Sequence, residues 1–355
     1  MRIAATDIVV IGGSAGSLEA LCNLVAGLPA DLPAAVFIVV HVLPVASSRL
    51  PQILDRRSAL PVRHARDGDT LERGHILVAP PDHHMVLSDH RVELNRGPRE
   101  NSTRPAIDPL FRSAANQFGP RVCAVVVSGN LDDGSAGLHH VISRGGAGIV
   151  QDPDDALHPE MPRNALLRCP SCDVAPAGRI AGMLVELARS AQPAEQSTMQ
   201  DTEKPGGSNN SSAEQIGAGD SPGTPTGLTC PECHGVLWAS PDPADPTLHC
   251  RIGHSNSLET LQSERRREIE AAMGAAVRAL HEEASLARHI AERARQSGRE
   301  SMARRFDIRS DTAMTHAHVL ERLLLEDIPL PASIAPDEDE RDDDAGTASE
   351  RRQAG

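Results

Sequence analysis

The chain has 355 residues, room for about two domains of ordinary size. Only 1% of it is aromatic and it holds no tyrosine, so its core must be built from Val, Ile, Leu and Ala, and tyrosine chemistry is excluded. With 49 acidic against 35 basic residues the formal charge is −14, which leaves no electrostatic footprint for nucleic acid at whole-chain level.

From residue 7 to about 190, short β-branched runs alternate with helical patterns: strands at 8–11, 35–40, 76–79, 122–127 and 148–151, and helices at 17–28 and 137–143. Strands that alternate with helices and read as unbroken apolar runs are buried on both faces, so the expected class is α/β, a doubly wound, mostly parallel sheet with helices on both faces. The longest apolar runs fall far short of the ~20 residues a membrane span needs, and no basic-then-apolar signal segment opens the chain. No membrane insertion and a cytoplasmic location are expected.

Residues 191–227 are almost wholly Ser, Gly, Pro, Gln and Glu and predict a disordered linker, because they cannot bury enough apolar surface to offset chain entropy. Residues 228–258 hold three cysteines. A helical hairpin is expected over 259–328, with heptad-like apolar spacing at Ile269, Met273, Ala276, Leu280, Ala284, Ala287, Ala291 and Ala294 that resumes after Gly298. Its thin, alanine-rich stripe predicts a docking face. Residues 329–355 form an acidic tail, expected to be disordered.

The sharpest local signal is Gly12-Gly13-Ser14-Ala15-Gly16, between the first strand and the first helix. A G-x-S-x-G turn in that setting exposes a nucleophile at the top of a sheet, and the following helix aims free N–H groups at an oxyanion; Ala15 N–H is the natural donor. The glycines miss dinucleotide-loop spacing, and no Gly-Lys-Ser/Thr follows for a nucleotide loop. A plain tight turn with a capping serine is the competing reading. His41 follows strand 35–40 and Asp132-Asp133-Gly134 follows strand 122–127, so both stand at carboxyl ends, where parallel sheets place their ligands and where Ser14 also lies. A structural histidine and a turn-forming acidic pair are the bland alternatives. Serine, histidine and aspartate converging on one edge are the set that acyl transfer requires. The chain order Ser, His, Asp differs from that of an α/β-hydrolase.

Five motifs in order, Ile11-Gly-Gly-Ser-Ala-Gly-Ser, Val39-Val-His-Val-Leu-Pro44, Ala79-Pro-Pro-Asp-His-His84, Arg104-Pro-Ala-Ile-Asp-Pro-Leu-Phe-Arg-Ser113 and Ser128-Gly-Asn-Leu-Asp-Asp-Gly-Ser-Ala-Gly-Leu138, resemble the catalytic domain of the chemotaxis protein-glutamate methylesterases, the CheB family. The resemblance covers residues 7 to 190. It implies hydrolysis of glutamate methyl esters, and deamidation of glutamines, on chemoreceptor helices, with a histidine-kinase phosphorelay as the signalling context and no cofactor for catalysis. It puts the nucleophile on Ser14, the general base on His41 and the orienting carboxylate on Asp133, with Asp132 its neighbour. His84 and Asn130 fall on site-lining positions, and Gln151 and Met161-Pro162 match the segment near the mouth. The sequence departs from the family where Asn130-Leu131 replaces the second half of Thr-Gly-Met-Gly, removing a methionine that backs the site in relatives. Regulated members carry a receiver domain; here the first strand starts at residue 7, so control by aspartyl phosphorylation within this chain is not expected. A catalytically degenerate scaffold binding receptor helices or signalling partners is the rival from another class.

Cys230-Pro-Glu-Cys233 and, sixteen residues on, Cys250-x3-His254 form a Cys3His set with the spacing of a closed tetrahedral zinc site. So small a module, poor in apolar residues, could hardly fold without a metal, and Trp238 is expected beside it. The linker is expected to hold this ribbon apart, leaving catalysis independent of it. Cys169-Pro-Ser-Cys172 has no matching pair nearby, and incidental cysteines or a redox pair are both open.

Overall fold

The computed structural model describes residues 7–42, 48–190, 223–240 and 247–325. In chain order the first domain runs β1 (Ile8–Gly13), α1 (Ser17–Ala26), β2 (Ala35–Val40), α2 (Leu50–Asp55), β3 (Val62–His64), β4 (Ile76–Val78), β5 (His84–Ser88), β6 (Arg91–Asn95), α3 (Ile107–Phe118), β7 (Val122–Val126), α4 (Ser135–Ser143), β8 (Ala147–Gln151), α5 (Glu160–Arg168), β9 (Asp173–Ala175) and α6 (Ala177–Arg189). Seven strands form one sheet in the order β3-β4-β2-β1-β7-β8-β9, and every pairing in it is parallel. This is the expected doubly wound class.

The alternation of side chains explains the two layers. Along β1, Val10 faces a core shared with Phe37, Ile107, Phe111, Val126 and Leu138, while Val9 and Ile11 face another shared with Leu21, Leu24, Ile38, Ile180 and Leu184. Helices α3, α4 and α5 therefore cover one face and α1 and α6 the other, and the central strands β1, β2 and β7 must be apolar on both sides. The strand order reverses direction across β1 and β7. At such a switch point the loops leaving the carboxyl ends diverge and open a crevice.

Several elements differ from the expected pattern. Strands β3 and β9 are too short for periodicity to show, and the β5–β6 hairpin forms a separate two-stranded sheet bridged to Thr70. Helix α3 reads in the sequence as a motif, yet it buries eight of its twelve residues.

Beyond the expected linker, most of which lies outside the described residues, come β10 (Thr224–Thr229), β11 (Val236–Ala239), β12 (Leu248–Cys250) and β13 (Ser255–Asn256), an antiparallel four-stranded ribbon. Strand β10 begins inside the range read as linker. Helix α7 (Leu258–Gln296) and helix α8 (Glu300–Leu325) follow. Two compact units result, 1–265 and 266–355. The ribbon belongs to the first, with the sheet domain, so the expectation that a linker holds it apart is not met.

In the second unit Gly298 at φ +70° turns the chain between the helices. Pairs Glu283–Arg309 and His281–Glu321, with the ion pair Arg295–Asp307, run in antiparallel register, the hairpin expected from the sequence. Its seam is built of buried Ala284, Ala287, Ala291, Ala303, Ala313 and Ala317, while Leu286, Ile308 and Leu323 are exposed. The acidic tail lies outside the described residues. No helix among the described residues is long and apolar enough to cross a membrane.

Candidate active site

Ser14 directly follows β1, His41 directly follows β2 and Asp133 lies in the loop after β7, three neighbouring strands whose carboxyl ends meet at the switch point. The turn around Ser14 is tight because its neighbours are close. Gly16 stands at φ +70°, and a Cβ there would come within 2.9 Å of Leu157, His158 and Ser128. Ser14 O accepts the Ser17 hydroxyl at 2.7 Å, and Ser128 O accepts the Ser14 N–H at 3.0 Å.

His41 bridges the other two groups. Its Nδ1 lies 3.0 Å from Ser14 Oγ and its Nε2 lies 2.6 Å from Asp133 Oδ2. With Asp133 ionised, Nε2–H donates to the carboxylate, so Nδ1 is left as the acceptor for the serine proton. Thr103 Oγ1 sits 3.4 Å from the same Nε2 and donates to Glu100 O.

Asp133 is 2% exposed, and burial alone would push its carboxyl up. Four donors reverse this. Oδ2 takes His41 Nε2–H and the Ile107 N–H at 2.7 Å, and Oδ1 takes the Asn101 amide at 3.0 Å and the Asp108 N–H at 3.3 Å. The His41 bond and charge, the Ile107 N–H and the Asn101 amide bring it down to about 2. Two of those donors belong to the N-terminus of α3, whose positive dipole end favours an anion.

The remaining expected positions divide. Ala15 N–H has no acceptor among the described residues and leads into α1, as an oxyanion donor must. Gln151 accepts the Ser128 N–H at 2.9 Å and donates to Asp155 at 2.8 Å, which fixes the loop after β7. His84 is 3% exposed and both ring nitrogens are engaged by backbone: Nε2 with Pro98 O at 3.0 Å and Nδ1 with the Ala106 N–H at 3.3 Å. It therefore ties the ends of the 98–106 loop instead of lining the site. Burial holds its imidazole below the usual range, which keeps it neutral.

Asn130 is exposed and has no hydrogen bond among the described residues, so it does not replace the family's methionine. Met161 is fully buried and comes up beside Gly129, where a Cβ would meet its Cε at 2.6 Å, its Sδ at 2.8 Å and Ser14 Cβ at 2.9 Å. A thioether thus stands near the nucleophile from another element. Leu131 sits at φ +61°, a conformation that favours glycine; Glu160 accepts its N–H at 3.0 Å and Asn164 donates to its carbonyl at 2.9 Å, holding it there. Asn101 carried no sequence signal, since its role depends on a fold contact across 32 residues.

In the ribbon, the ligand atoms of Cys230, Cys233, Cys250 and His254 all lie within 4.8 Å of one another. Cys233 and Cys250 Sγ are 3.6 Å apart, and His254 Nδ1 lies 3.6 Å from Cys230 Sγ and 3.5 Å from Cys250 Sγ. The edges of a tetrahedron with bonds of about 2.0–2.3 Å measure roughly 3.3–3.8 Å, so the donor set fits zinc. Trp238 does not join it. Strand alternation sends Leu237 into the ribbon core with Cys230 and Cys250, and Trp238 to the other side under the Arg251 guanidinium.

A serine–histidine–aspartate hydrogen-bond chain at the carboxyl edge of a parallel sheet is the arrangement of a serine hydrolase. Comparison with known proteins sharpens this. The family described as CheB methylesterase matches residues 9–184. The crystal structure of the Thermotoga maritima CheB methylesterase catalytic domain superposes with a TM-score of 0.50 at 31% identity, covering 52% of this chain and 100% of that one. A protein-glutamate methylesterase/protein-glutamine glutaminase of Methanosarcina mazei is 35% identical over 191 residues, 52% of each chain. One of Pseudomonas aeruginosa is 38% identical over 185 residues, 51% of this chain and 53% of its own. The chain belongs to the CheB methylesterase family. It spans about half the length of the curated relatives it matches.

Proposed function

We propose that this chain is a protein-glutamate methylesterase that hydrolyses γ-methyl esters of glutamate on chemoreceptor helices, and deamidates glutamine there, in chemotaxis-type signalling on the cytoplasmic side. The observation that carries this reading is the unbroken chain Ser14 Oγ, His41 Nδ1, His41 Nε2, Asp133 Oδ2 at 3.0 and 2.6 Å. Ser14 Oγ attacks the ester carbonyl carbon as Nδ1 takes its proton. The oxyanion forms beside Ala15 N–H. His41 then returns the proton to the leaving methoxide, and a water activated in the same way releases the glutamate and frees Ser14. Asp133, ionised and immobilised by four donors, fixes the tautomer and stabilises the imidazolium while it exists.

The zinc reading belongs with the fold. Cys230, Cys233, Cys250 and His254 would hold one ion, and four protein ligands leave no open position for chemistry. Methylated receptor helices are the partners this function requires, and proteins of a histidine-kinase pathway would supply its input. Methanol release from methylated receptor, or turnover of a small ester, tests the function. Ser14→Ala and His41→Ala should each lower kcat by roughly 10³-fold or more, and Asp133→Asn by somewhat less. Wild-type turnover that survives Ser14→Ala unchanged would refute the assignment.

A further inference from the structure

The ribbon is not tethered at a distance from the catalytic edge. Its last strand and the first turn of α7 lie on the 99–103 loop and on the Asp132-Asp133 pair. Backbone pairs first: Asn101 N–H donates to Ser255 O at 2.8 Å and Ser255 N–H donates to Arg99 O at 3.3 Å, extending β13 by a parallel bridge to Glu100. Side chains then reach the acids. Ser257 Oγ–H donates to Asp132 Oδ1 at 2.6 Å, and the Thr260 hydroxyl lies 3.4 Å from the same oxygen. Asn101 is held at both ends of its amide, because its Oδ1 accepts the Ser257 N–H at 3.0 Å and its Nδ2 donates to Asp133 Oδ1 at 3.0 Å and to Asp108 Oδ2 at 3.2 Å.

These contacts are buried. Ser255, Asn256, Ser257 and Thr260 are at most 8% exposed, and Asn101 is 7% exposed. The ligand His254 directly precedes Ser255, and Cys250 N–H donates to His254 O at 3.0 Å, so the segment that grips Asn101 leaves straight from the metal-binding turn. At the other end of the ribbon, Arg99 pairs with Glu232, between the two ligands of the Cys-x-x-Cys turn.

From this continuity we propose that the metal-bearing ribbon is a working part of the active site: Asn101 and Ser257 are positioning residues that fix the carboxylate orienting His41, and folding of the ribbon around its metal is what sets them in place. The inference rests on the triad reading given above. The ionised Asp133 can only accept, so it takes the Nδ2 end of Asn101, and Ser257 N–H, donating to Oδ1, holds the amide in that orientation from its other end. Without the ribbon, Asn101 is free to move away, Asp133 loses one of two donors on Oδ1, and Asp132 loses the Ser257 hydroxyl bonded to its own Oδ1.

The test uses the full chain. Asn101→Ala should lower kcat for a small ester by about 10-fold or more with KM changed by less than about twofold, since the loss falls on orientation and not on substrate contact. Ser257→Ala removes the hydroxyl on Asp132 but keeps the backbone N–H on Asn101, so it should lower kcat less than Asn101→Ala does, and Ser257→Thr should restore it. Metal removal by a chelator, followed through the fluorescence of the single Trp238, should lower kcat at least as far as Asn101→Ala. A second readout needs no substrate: the downfield proton resonance of His41 Nε2–H against Asp133 should weaken or vanish in Asn101→Ala and after chelation, and persist in Ser257→Thr. Chelation that changes the Trp238 signal but leaves both the resonance and kcat intact overturns the proposal. If no ester is turned over by wild type, the functional reading fails, while the resonance still decides whether the ribbon positions the acid.

Discussion

Asp132 and Asp133 are adjacent in the chain, yet their surroundings drive them in opposite directions. Asp133 is held at about 2 by its donors, whereas burial pushes Asp132 up to about 6; the Ser257 hydroxyl opposes this, and the charges of Glu259 and Asp133 add to it. Asp108 from α3 is raised as well, by burial and by the charge of Asp133, while Arg168 from α5 borders the same cavity as Asp132 and Glu259. An acid whose folded value is raised favours the fold when protonated. Asp132 therefore contributes stability below about pH 4 that is lost as pH rises through about 6, amounting to at most about 3 kcal/mol. Thermal unfolding of wild type should show stability falling between pH 4 and 6 relative to Asp132→Asn, which keeps an oxygen for Ser257 but cannot ionise. Parallel pH profiles for the two proteins would show that Asp132 does not titrate there. The same pair shows what made Asp133 legible in the sequence: the acid before glycine falls where the loop meets α3, whose first N–H groups bond it.

At the level of elements, the sheet was legible because a strand buried on both faces must be apolar throughout, as β1, β2 and β7 are. The glycine turn and the strand-end His41 were legible for the same reason, since they interrupt those runs. The ribbon's docking was not. Its contacts join Asn101 to Ser257 and Asp132 to Thr260, pairs more than a hundred residues apart with no periodicity to announce them. His84 and Asn130 misled because a motif match fixes a place in the chain and not the direction of a side chain. The ribbon core gathers Leu237, Leu248 and Leu261 with two buried cysteines, too little apolar surface to order four strands, which is the physical argument for a metal on the cysteine–histidine set. One zinc per chain is expected by elemental analysis. Cys250→Ser should abolish that stoichiometry and expose the half-buried Trp238 to solvent, whereas a metal-free chain with a folded ribbon would rule the site out.

For the molecule as a whole, the division into two units places every hydrogen bond from Ser14 to Thr260 before residue 265. The useful boundary is therefore not at the linker near residue 190, where composition puts it, but inside α7, where a single long helix leaves the ribbon and enters the hairpin. Two truncations separate these views. A chain ending after Arg267 keeps the ribbon and the first turns of α7 and should turn over a small ester within about twofold of the full chain, with one zinc still bound. A chain ending after Ser190 keeps the whole seven-stranded sheet but removes the partner of Asn101, and its kcat should fall by about 10-fold or more while circular dichroism reports an intact α/β domain. The hairpin, with an alanine seam and exposed Leu286, Ile308 and Leu323, would then act on delivery of receptor and not on the chemical step. Equal kcat values for the two truncations would place all of the catalytic machinery before residue 190 and reduce the ribbon to a passenger; a large rise in turnover on removing the hairpin would show that it restrains the enzyme.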